Sequence, residues 1–141
     1  MTSCKVQNLP KPLQFSAGVF DSQKEDSFPL ICGGSSYLDN NTNSCWKLEK
    51  SGDWTTISSM KYKRSNFTLN AIDGRIFAIG GKNFTGENDM GLQDVEIFDY
   101  SKWSDKVIED IPVPIHSHCT VAYNSTLLVV IAGVQYGKVK S

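Results

Sequence analysis

Short apolar runs alternate with longer polar segments along this 141-residue chain, and three of the runs end in a pair of small residues. Runs of this kind, rich in β-branched and aromatic residues, predict strands, and no stretch repeats apolar residues at helical spacing over three turns. Successive pairs lie 47 and 52 residues apart, an interval typical of propeller blades. The runs and pairs are 28–32 with Gly33-Gly34, 76–79 with Gly80-Gly81, and 127–131 with Ala132-Gly133.

Each repeat is predicted to contain four antiparallel strands. In the second repeat a tight hairpin turn at Asp73-Gly74 joins the first two strands, and a polar loop follows the glycines. In the first repeat a charged loop, 21–27, replaces the tight turn. The predicted strands are 15–20, 28–32, 44–49 and 54–59 in the first repeat, and 65–72, 75–79, 93–100 and 103–111 in the second.

Two proline-containing segments set the boundaries of the repeats. Residues 9–13 and 111–115 share one pattern of apolar residues and prolines, and they lie 102 residues apart. By this match, 4–9 is predicted to be the fourth strand of an earlier blade. The predicted fold is all-β, a single partial propeller over 1–141 with about two and a half four-stranded antiparallel blades. Its parts are the end of a preceding blade at 5–13, a first full blade at 14–60, a second full blade at 61–116, the first half of a third blade at 117–134, and a tail at 135–141.

The number of predicted blades is small for a propeller. A ring takes about four to eight blades, so we expect the chain to be a fragment of a larger propeller. The uncharged segment 127–134 has no predicted partner on its outer side. A homodimer in which two chains complete each other's split blade is less favoured, because the third strand of each split blade would still be missing.

These features resemble kelch repeats, over roughly residues 5–134. The shared marks are the strand ending in Gly-Gly, the long polar loop, a tryptophan opening the fourth strand (Trp54 and Trp103), and Met60 and Arg64 leading into the next blade. The third copy departs from the pattern, because Ala132 replaces the first glycine and His116 stands where Arg64 stands in the second. The resemblance implies a propeller of the kelch-like or galactose-oxidase type.

The recurring glycines and tryptophans have a structural interpretation. Gly33, Gly34, Gly80 and Gly81 let the backbone leave a strand with positive φ or pack closely. They do not form a phosphate-binding loop, because no Gly-Lys-Ser/Thr run or helix follows. Trp54 and Trp103 are expected to pack in the blades rather than to form a ligand cage.

The resemblance implies that loops on one face bind a partner, commonly a peptide segment of another protein. Antiparallel strand order places the loops after the glycines and the loops entering the next blade on the same face. These loops are 35–44, 60–65, 82–92 and 112–117. The predicted partner-binding residues are Arg64, Lys82, Asn83, Glu87, Asn88, Asp89 and His116. In an intracellular protein the resemblance suggests a substrate-recognition module that follows a BTB domain and recruits a cullin ubiquitin ligase.

An enzyme is not predicted, and no catalytic residue, cofactor or metal is expected. His116 and His118 lie two residues apart, but a third metal ligand is hard to name. The chain has only these two histidines and no Gly-x-Ser-x-Gly motif. A remnant of a galactose-oxidase-like enzyme is the alternative in this class.

Cysteines and glycosylation motifs leave the compartment open between cytoplasmic and secreted. Cys32 ends one predicted strand and Cys45 begins its neighbour, so the two are candidates for a disulfide. Cys32 also fits the phase of Ile79 and is alternatively a small apolar core residue. Asn40, Asn83 and Asn124 begin Asn-x-Ser/Thr motifs. The secreted alternative is a glycosylated propeller in adhesion or glycan binding.

Charge and hydropathy exclude two classes of partner. The formal net charge is -1 and no basic stripe is visible, so neither a nucleic-acid partner nor a membrane surface is expected. The longest apolar stretch, 127–134, is far shorter than the roughly 20 residues of a membrane-spanning helix. The first residues do not resemble a signal peptide.

Overall fold

A computed structural model describes residues 6–37, 40–84, 89–105 and 107–135, with the backbone alone at 89 and 90. In this part of the chain all regular structure is strand, and no helix is present. Antiparallel pairing joins every strand to its neighbours. The strands are β1 (Ala17–Val19), β2 (Leu30–Cys32), β3 (Cys45–Leu48), β4 (Trp54–Ile57), β5 (Thr68–Ile72), β6 (Arg75–Ile79), β7 (Lys82–Phe84), β8 (Asp89–Gly91), β9 (Val95–Phe98), β10 (Trp103–Asp105), β11 (Ile115–His116), β12 (Cys119–Ala122), β13 (Leu128–Ile131) and β14 (Val134–Gln135).

Two complete four-stranded blades are present, in agreement with the predicted fold class. The first contains β1 to β4 in chain order, and the second is ordered β10-β9-β6-β5. The predicted turn between β5 and β6 has positive φ at both central residues, 50° at Asp73 and 67° at Gly74, as a two-residue hairpin turn requires. The second blade differs from expectation in its polar loop, where β7 and β8 form a small hairpin.

In the described part of the chain, the third repeat contains two paired strands of a blade. β12 pairs with β13 over four residue pairs, and β11 pairs with β14 beside them. The β11–β14 pairing has a counterpart in each earlier repeat. Gln14 bridges Ser35, Ser65 bridges Lys82, and His116 pairs with Val134. Each repeat therefore pairs the residue three positions before its first hairpin strand with the residue that follows its small-residue pair.

This register corrects the predicted position of His116. His116 is the counterpart of Ser65, and the counterpart of Arg64 is Ile115. The number of residues before Ala132 predicts the wrong counterpart for His116, because the β12–β13 connection is longer than the β5–β6 turn. Ala122 pairs with Leu128, whereas Ile72 pairs with Arg75.

Most strands are shorter than predicted, and two predictions differ most from the structure. The fourth strand of the second blade ends at Asp105, and 107–111 contains no strand. In the predicted strand 4–9, only 6–9 is described, and it is not a strand. Gln7 instead binds the outer edge of the first blade, since its N–H donates to Gly52 O over 3.0 Å and its carbonyl accepts from Trp54 Nε1 over 3.0 Å.

The hydrophobic core is shared between the two complete blades. Phe98 is fully buried and stacks on Trp103 with ring centroids 5.1 Å apart. Trp54 and Trp103 open β4 and β10 and are both half-buried. The side chains that form the core cluster are Leu30, Cys32, Cys45, Met60, Phe67, Leu69, Ile76, Ala78 and Phe98.

Glycine pairs join one blade to the next. Gly34 N donates to Arg64 O, and Gly81 N donates to Ile115 O, each over 2.8 Å. The preceding glycines are left-handed, and a Cβ at Gly33 would lie 2.5 Å from Arg64 O. The pairs therefore supply both positive φ and the space for the next repeat's backbone to approach. In the third repeat Ala132 takes the same conformation, with φ of 59°.

Candidate functional site: a groove on the loop face

The predicted loops meet on one face of the molecule. Asn41 Nδ2 donates to Lys82 O over 2.9 Å, which joins the long loop of the first blade to β7. Arg64 N donates to Thr42 O over 3.2 Å, and Ile115 N donates to Leu92 O over 3.2 Å. Each loop that follows a glycine pair is therefore bonded to the segment that enters the next repeat. We call this side the loop face.

Two neighbouring hollows on the loop face share part of their lining. One has a volume of about 150 Å³ and the other about 200 Å³, and they share Ser35 and Ser36. The first is lined by Phe15, Ser35, Ser36, Asn40, Asn41, Ser65, Lys82 and Phe84, and the second by Pro12, Leu13, Gln14, Ser35, Ser36 and Tyr37. We call the two together the loop-face groove.

Three exposed aromatic residues lie along this groove. Phe15 is 56% exposed, Phe84 is 40% exposed and Tyr37 is fully exposed. Aromatic side chains are enriched among the residues that dominate binding energy at protein interfaces. Sequence reasoning chose polar and charged loop residues and missed these three. The available signal was position, because Phe15 precedes a first strand and Tyr37 and Phe84 follow glycine pairs.

Five of the predicted partner-binding residues lie in the loop 82–92. Lys82 lines the groove and is half-buried. Asn83, its neighbour in β7, is also half-buried. Glu87 and Asn88 lie outside the described residues, and Asp89 contributes its backbone to β8. Their role in partner binding stays a prediction.

The prediction that Arg64 contacts a partner requires correction. Its side chain is fully buried, and Arg64 Nη2 lies 2.7 Å from Oε1 of the equally buried Glu96. Arg64 Nη1 donates to Gly80 O over 2.8 Å and to Asp94 O over 3.2 Å. Burial lowers the pKa of Arg64, and the charge of Glu96 opposes that shift. Arg64 therefore holds the second blade together and does not line the groove.

His116 is likewise buried rather than presented on the loop face. It is 8% exposed, and its Nδ1 lies 3.0 Å from Ser117 Oγ. His118 is also buried, and Thr68 Oγ1 lies 3.2 Å from its Nε2. Burial and the neighbouring His116 lower the pKa of His118. The described residues contain no group of three or more side chains suited to a metal ion.

Cys32 and Cys45 are joined by a disulfide within the first blade. They face each other in the β2–β3 register, with Cα atoms 4.1 Å apart, and both are fully buried. Cys119, in β12, is a free and exposed thiol.

The three predicted glycosylation acceptors have different surroundings. Asn40 is exposed and lines the groove. Asn124 is exposed on the β12–β13 connection, where its Oδ1 accepts from Thr126 N and Leu127 N over 2.8 and 2.9 Å. Asn83 is half-buried in β7. Glycosylation of these sites stays a prediction.

Larger hollows lie at the ends of the strand hairpins. One, of about 620 Å³, is lined by residues of three hairpins, including Asp21, Asp73 and Asn124. Asp21 is already engaged there, because Tyr100 Oη donates to its carboxylate over 3.0 Å. Burial and this hydrogen bond raise the pKa of the Tyr100 phenol. A second hollow, of about 690 Å³, lies between 25–29 and 47–51. Neither gathers exposed aromatic residues as the loop-face groove does.

Comparison with known proteins shows what these repeats are similar to. A family model for the Kelch motif matches residues 63–105, which contain the second blade. The chain is 28% identical over 126 residues to human Kelch-like protein 33, with 86% of this chain and 22% of that protein covered. It is 28% identical over 137 residues to Danio rerio Kelch repeat and BTB domain-containing protein 8, with 89% and 22% covered. It is 30% identical over 111 residues to Danio rerio Kelch-like protein 41b, with 77% and 16% covered.

The solved structure of YjhT has the same fold. It matches with a TM-score of 0.68 at 20% sequence identity, over 85% of this chain and 34% of that one. The chain thus spans about a fifth of the length of the curated relatives and a third of this structural neighbour. Among the described residues, no helix could span a bilayer.

Proposed function

Since this chain is a partial kelch-repeat propeller, we propose that it is a non-catalytic protein-binding module whose partner contacts the loop-face groove. The name of one relative records a BTB domain beside its kelch repeats. By analogy, we propose that a protein containing this chain recognises a substrate for a ubiquitin ligase. The relatives support the class of module, and the groove supports the surface used.

The observation that carries this proposal is the set of exposed aromatic residues on the loop face. Phe15 and Phe84 line one hollow and Tyr37 lines the other, in each case together with serine residues and, in the first, asparagine residues. An apolar centre with a polar rim is the usual anatomy of a protein interface. The hydroxyl and amide groups can bond to the main chain of a bound polypeptide.

The size of each hollow favours a side chain of a polypeptide segment over an enclosed small molecule. Pockets for small ligands usually have volumes of about 300–1,000 Å³. The two hollows measure about 150 and 200 Å³. Each therefore suits one side chain of an extended partner, with the main chain lying across Ser35 and Ser36.

A secreted, glycosylated propeller is the second candidate. The Cys32–Cys45 disulfide favours it, because disulfides persist mainly in oxidising compartments. A glycan on Asn40 would cover the groove, since Asn40 lines it. The two candidates therefore differ in a measurable way. Peptide mass spectrometry of the native protein that finds Asn40 glycosylated favours the secreted protein and contradicts partner binding in this groove.

A matched pair of variants tests the proposed surface. In the full-length protein, Tyr37→Ala with Phe84→Ala removes two exposed rings from the loop face, and Arg75→Ala changes an exposed residue at the hairpin end of the second blade. Quantitative affinity purification from the native cells should show proteins that lose enrichment with the aromatic variant and keep it with Arg75→Ala. Equal enrichment with both variants contradicts the proposed function.

A further inference from the structure

We infer that Phe15 is the aromatic anchor of the loop-face groove, placed in a strained backbone conformation so that its ring can receive an apolar side chain of an extended peptide. This inference rests on the proposed function and deepens it.

The backbone at Phe15 is imposed by the repeat. Phe15, Asn66 and Ser117 stand at the same position of the three repeats, and their φ angles are 59°, 53° and 53°. Asn66 N donates to Phe15 O over 3.0 Å, and Ser117 N donates to Asn66 O over 2.9 Å. This chain of hydrogen bonds runs from one repeat to the next. The left-handed conformation therefore belongs to the architecture, whichever side chain occupies the position.

An aromatic residue is poorly suited to that conformation. The left-handed region is sterically disfavoured for a residue with a Cβ, and asparagine is several-fold enriched there. The second repeat has asparagine, and Asn66 Nδ2 also donates to Ser117 Oγ over 3.3 Å. The first repeat has phenylalanine, whose ring makes no such bond. Local preference therefore does not explain Phe15.

Core packing does not explain Phe15 either. The ring is 56% exposed, whereas Phe67, which follows the equivalent position in the second repeat, is 6% exposed and lies in the core. A residue in an unfavourable conformation that is not compensated by burial is a candidate for a functional role. Phe15 meets that description.

The surroundings of Phe15 indicate what its ring would contact. It lines the hollow of about 150 Å³ together with Phe84, which is 40% exposed, and with the residues Ser35, Ser65 and Asn40. Two phenyl rings favour an aliphatic or aromatic side chain, and the volume suits one such group. The polar residues around it suit the amides of an extended main chain. The inferred partner segment is thus an extended peptide with a central apolar residue.

Two substitutions separate binding from backbone strain. Phe15→Asn places at position 15 the residue that the second repeat already uses, so we expect the melting temperature to rise by about 3 °C while the anchor is lost. Ser117→Asn makes the matched change in the third repeat, at an exposed residue that does not line the groove. It should leave binding unchanged, and any gain in melting temperature should be smaller than for Phe15→Asn, because the Ser117 hydroxyl that bonds to Asn66 and lies beside His116 is lost.

The probe is a phage-displayed library of random twelve-residue peptides, selected on the full-length protein. Selected peptides are synthesised with fluorescein, and their affinities are measured by fluorescence anisotropy for each variant. We expect the peptides to share one apolar residue, to bind Phe15→Asn at least tenfold more weakly, and to bind Ser117→Asn within twofold of the unmodified protein. Phe15→Leu, which keeps an apolar side chain, should lose less affinity than Phe15→Asn.

The outcomes distinguish this inference from the proposed function. If Tyr37→Ala with Phe84→Ala weakens peptide binding and Phe15→Asn does not, the anchor role of Phe15 is wrong and the groove remains the binding surface. Selected peptides without a shared apolar residue also overturn the inference. If the library yields no binder, or if no groove variant changes affinity, the proposed function fails together with it.

Discussion

The two complete blades have the same strand order and register but use different side chains at equivalent positions. Between the second and third strands, the first blade pairs Cys32 with Cys45 and the second pairs Ile79 with Val95. One residue further along the third strand, the first blade has Trp46 and the second has Glu96. A disulfide therefore links the second and third strands of the first blade. In the second blade an apolar pair occupies the same position, beside a buried ion pair.

This difference shows that a position in the repeat requires a buried side chain more strictly than it requires an apolar one. Trp46 and Glu96 are both buried, at 4% and 0% exposure. Burial of Glu96 is tolerated because Arg64 lies against it and because Lys61 N and Tyr62 N donate to its two oxygens over 2.6 and 3.2 Å. A buried charge is tolerated only with such partners. The second blade therefore depends on its polar network in a way that the first does not.

The largest expected effect comes from breaking the ion pair of the second blade. Glu96→Leu leaves the guanidinium of Arg64 buried without its carboxylate and removes the acceptor of two backbone N–H groups. Removing one partner of a buried pair costs about 3–5 kcal/mol. The free energy of unfolding from urea denaturation measures the loss. A loss below about 1 kcal/mol would mean that the network does not stabilise the blade.

A slightly smaller effect is expected from the disulfide of the first blade. Its cysteines are 13 residues apart, and closing a loop of that length stabilises a protein by about 3 kcal/mol. Reduction should lower the free energy of unfolding by up to this amount. Cys32→Val with Cys45→Val makes the site resemble the apolar pair of the second blade, and that variant should be insensitive to reductant. Sensitivity of the double variant would show that the reductant acts elsewhere.

The junction after the second blade offers a third comparison. Gly80→Ala would place a Cβ 2.6 Å from Ile115 O in a left-handed conformation, so we expect a loss of about 2 kcal/mol. Ala132→Gly makes the reverse change in the third repeat, where the residue is exposed with φ of 59°. It should be neutral or stabilising by up to about 1 kcal/mol. Thermal unfolding of both variants tests the pair, and equal effects would contradict the packing argument.

The smallest effect is expected at an exposed ion pair in the same segment as Arg64. Lys61 Nζ lies 2.6 Å from Asp105 Oδ2, and the hydrogen bond to Asp105 raises the pKa of Lys61. Because Lys61 is exposed, solvent screens the pair. Lys61→Met should leave the urea midpoint unchanged within error. A loss comparable to that of Glu96→Leu would show that exposure does not separate the two pairs.

The candidate site was only partly predictable from the sequence. Antiparallel strand order predicts that the loops 35–44 and 82–92 lie on the same face. The hydrogen bond from Asn41 to Lys82 agrees with this prediction. The sequence assigns Arg64 to that face because it lies in the loop 60–65, which enters the second blade. Its burial depends on Glu96, which is 32 residues away in sequence. No local sequence pattern indicates such a distant partner.

The sequence by itself determined the repeat, the strand class and the tight turn at Asp73-Gly74, because these follow from local alternation, β propensity and turn chemistry. Only the tertiary structure decided which polar side chains are buried, that the predicted strand 4–9 is not a strand at 6–9, and that Phe15 keeps its ring exposed at a left-handed position. These features depend on neighbours from other repeats. Burial and strain are properties of packed neighbours, and the order of residues along one repeat does not specify them.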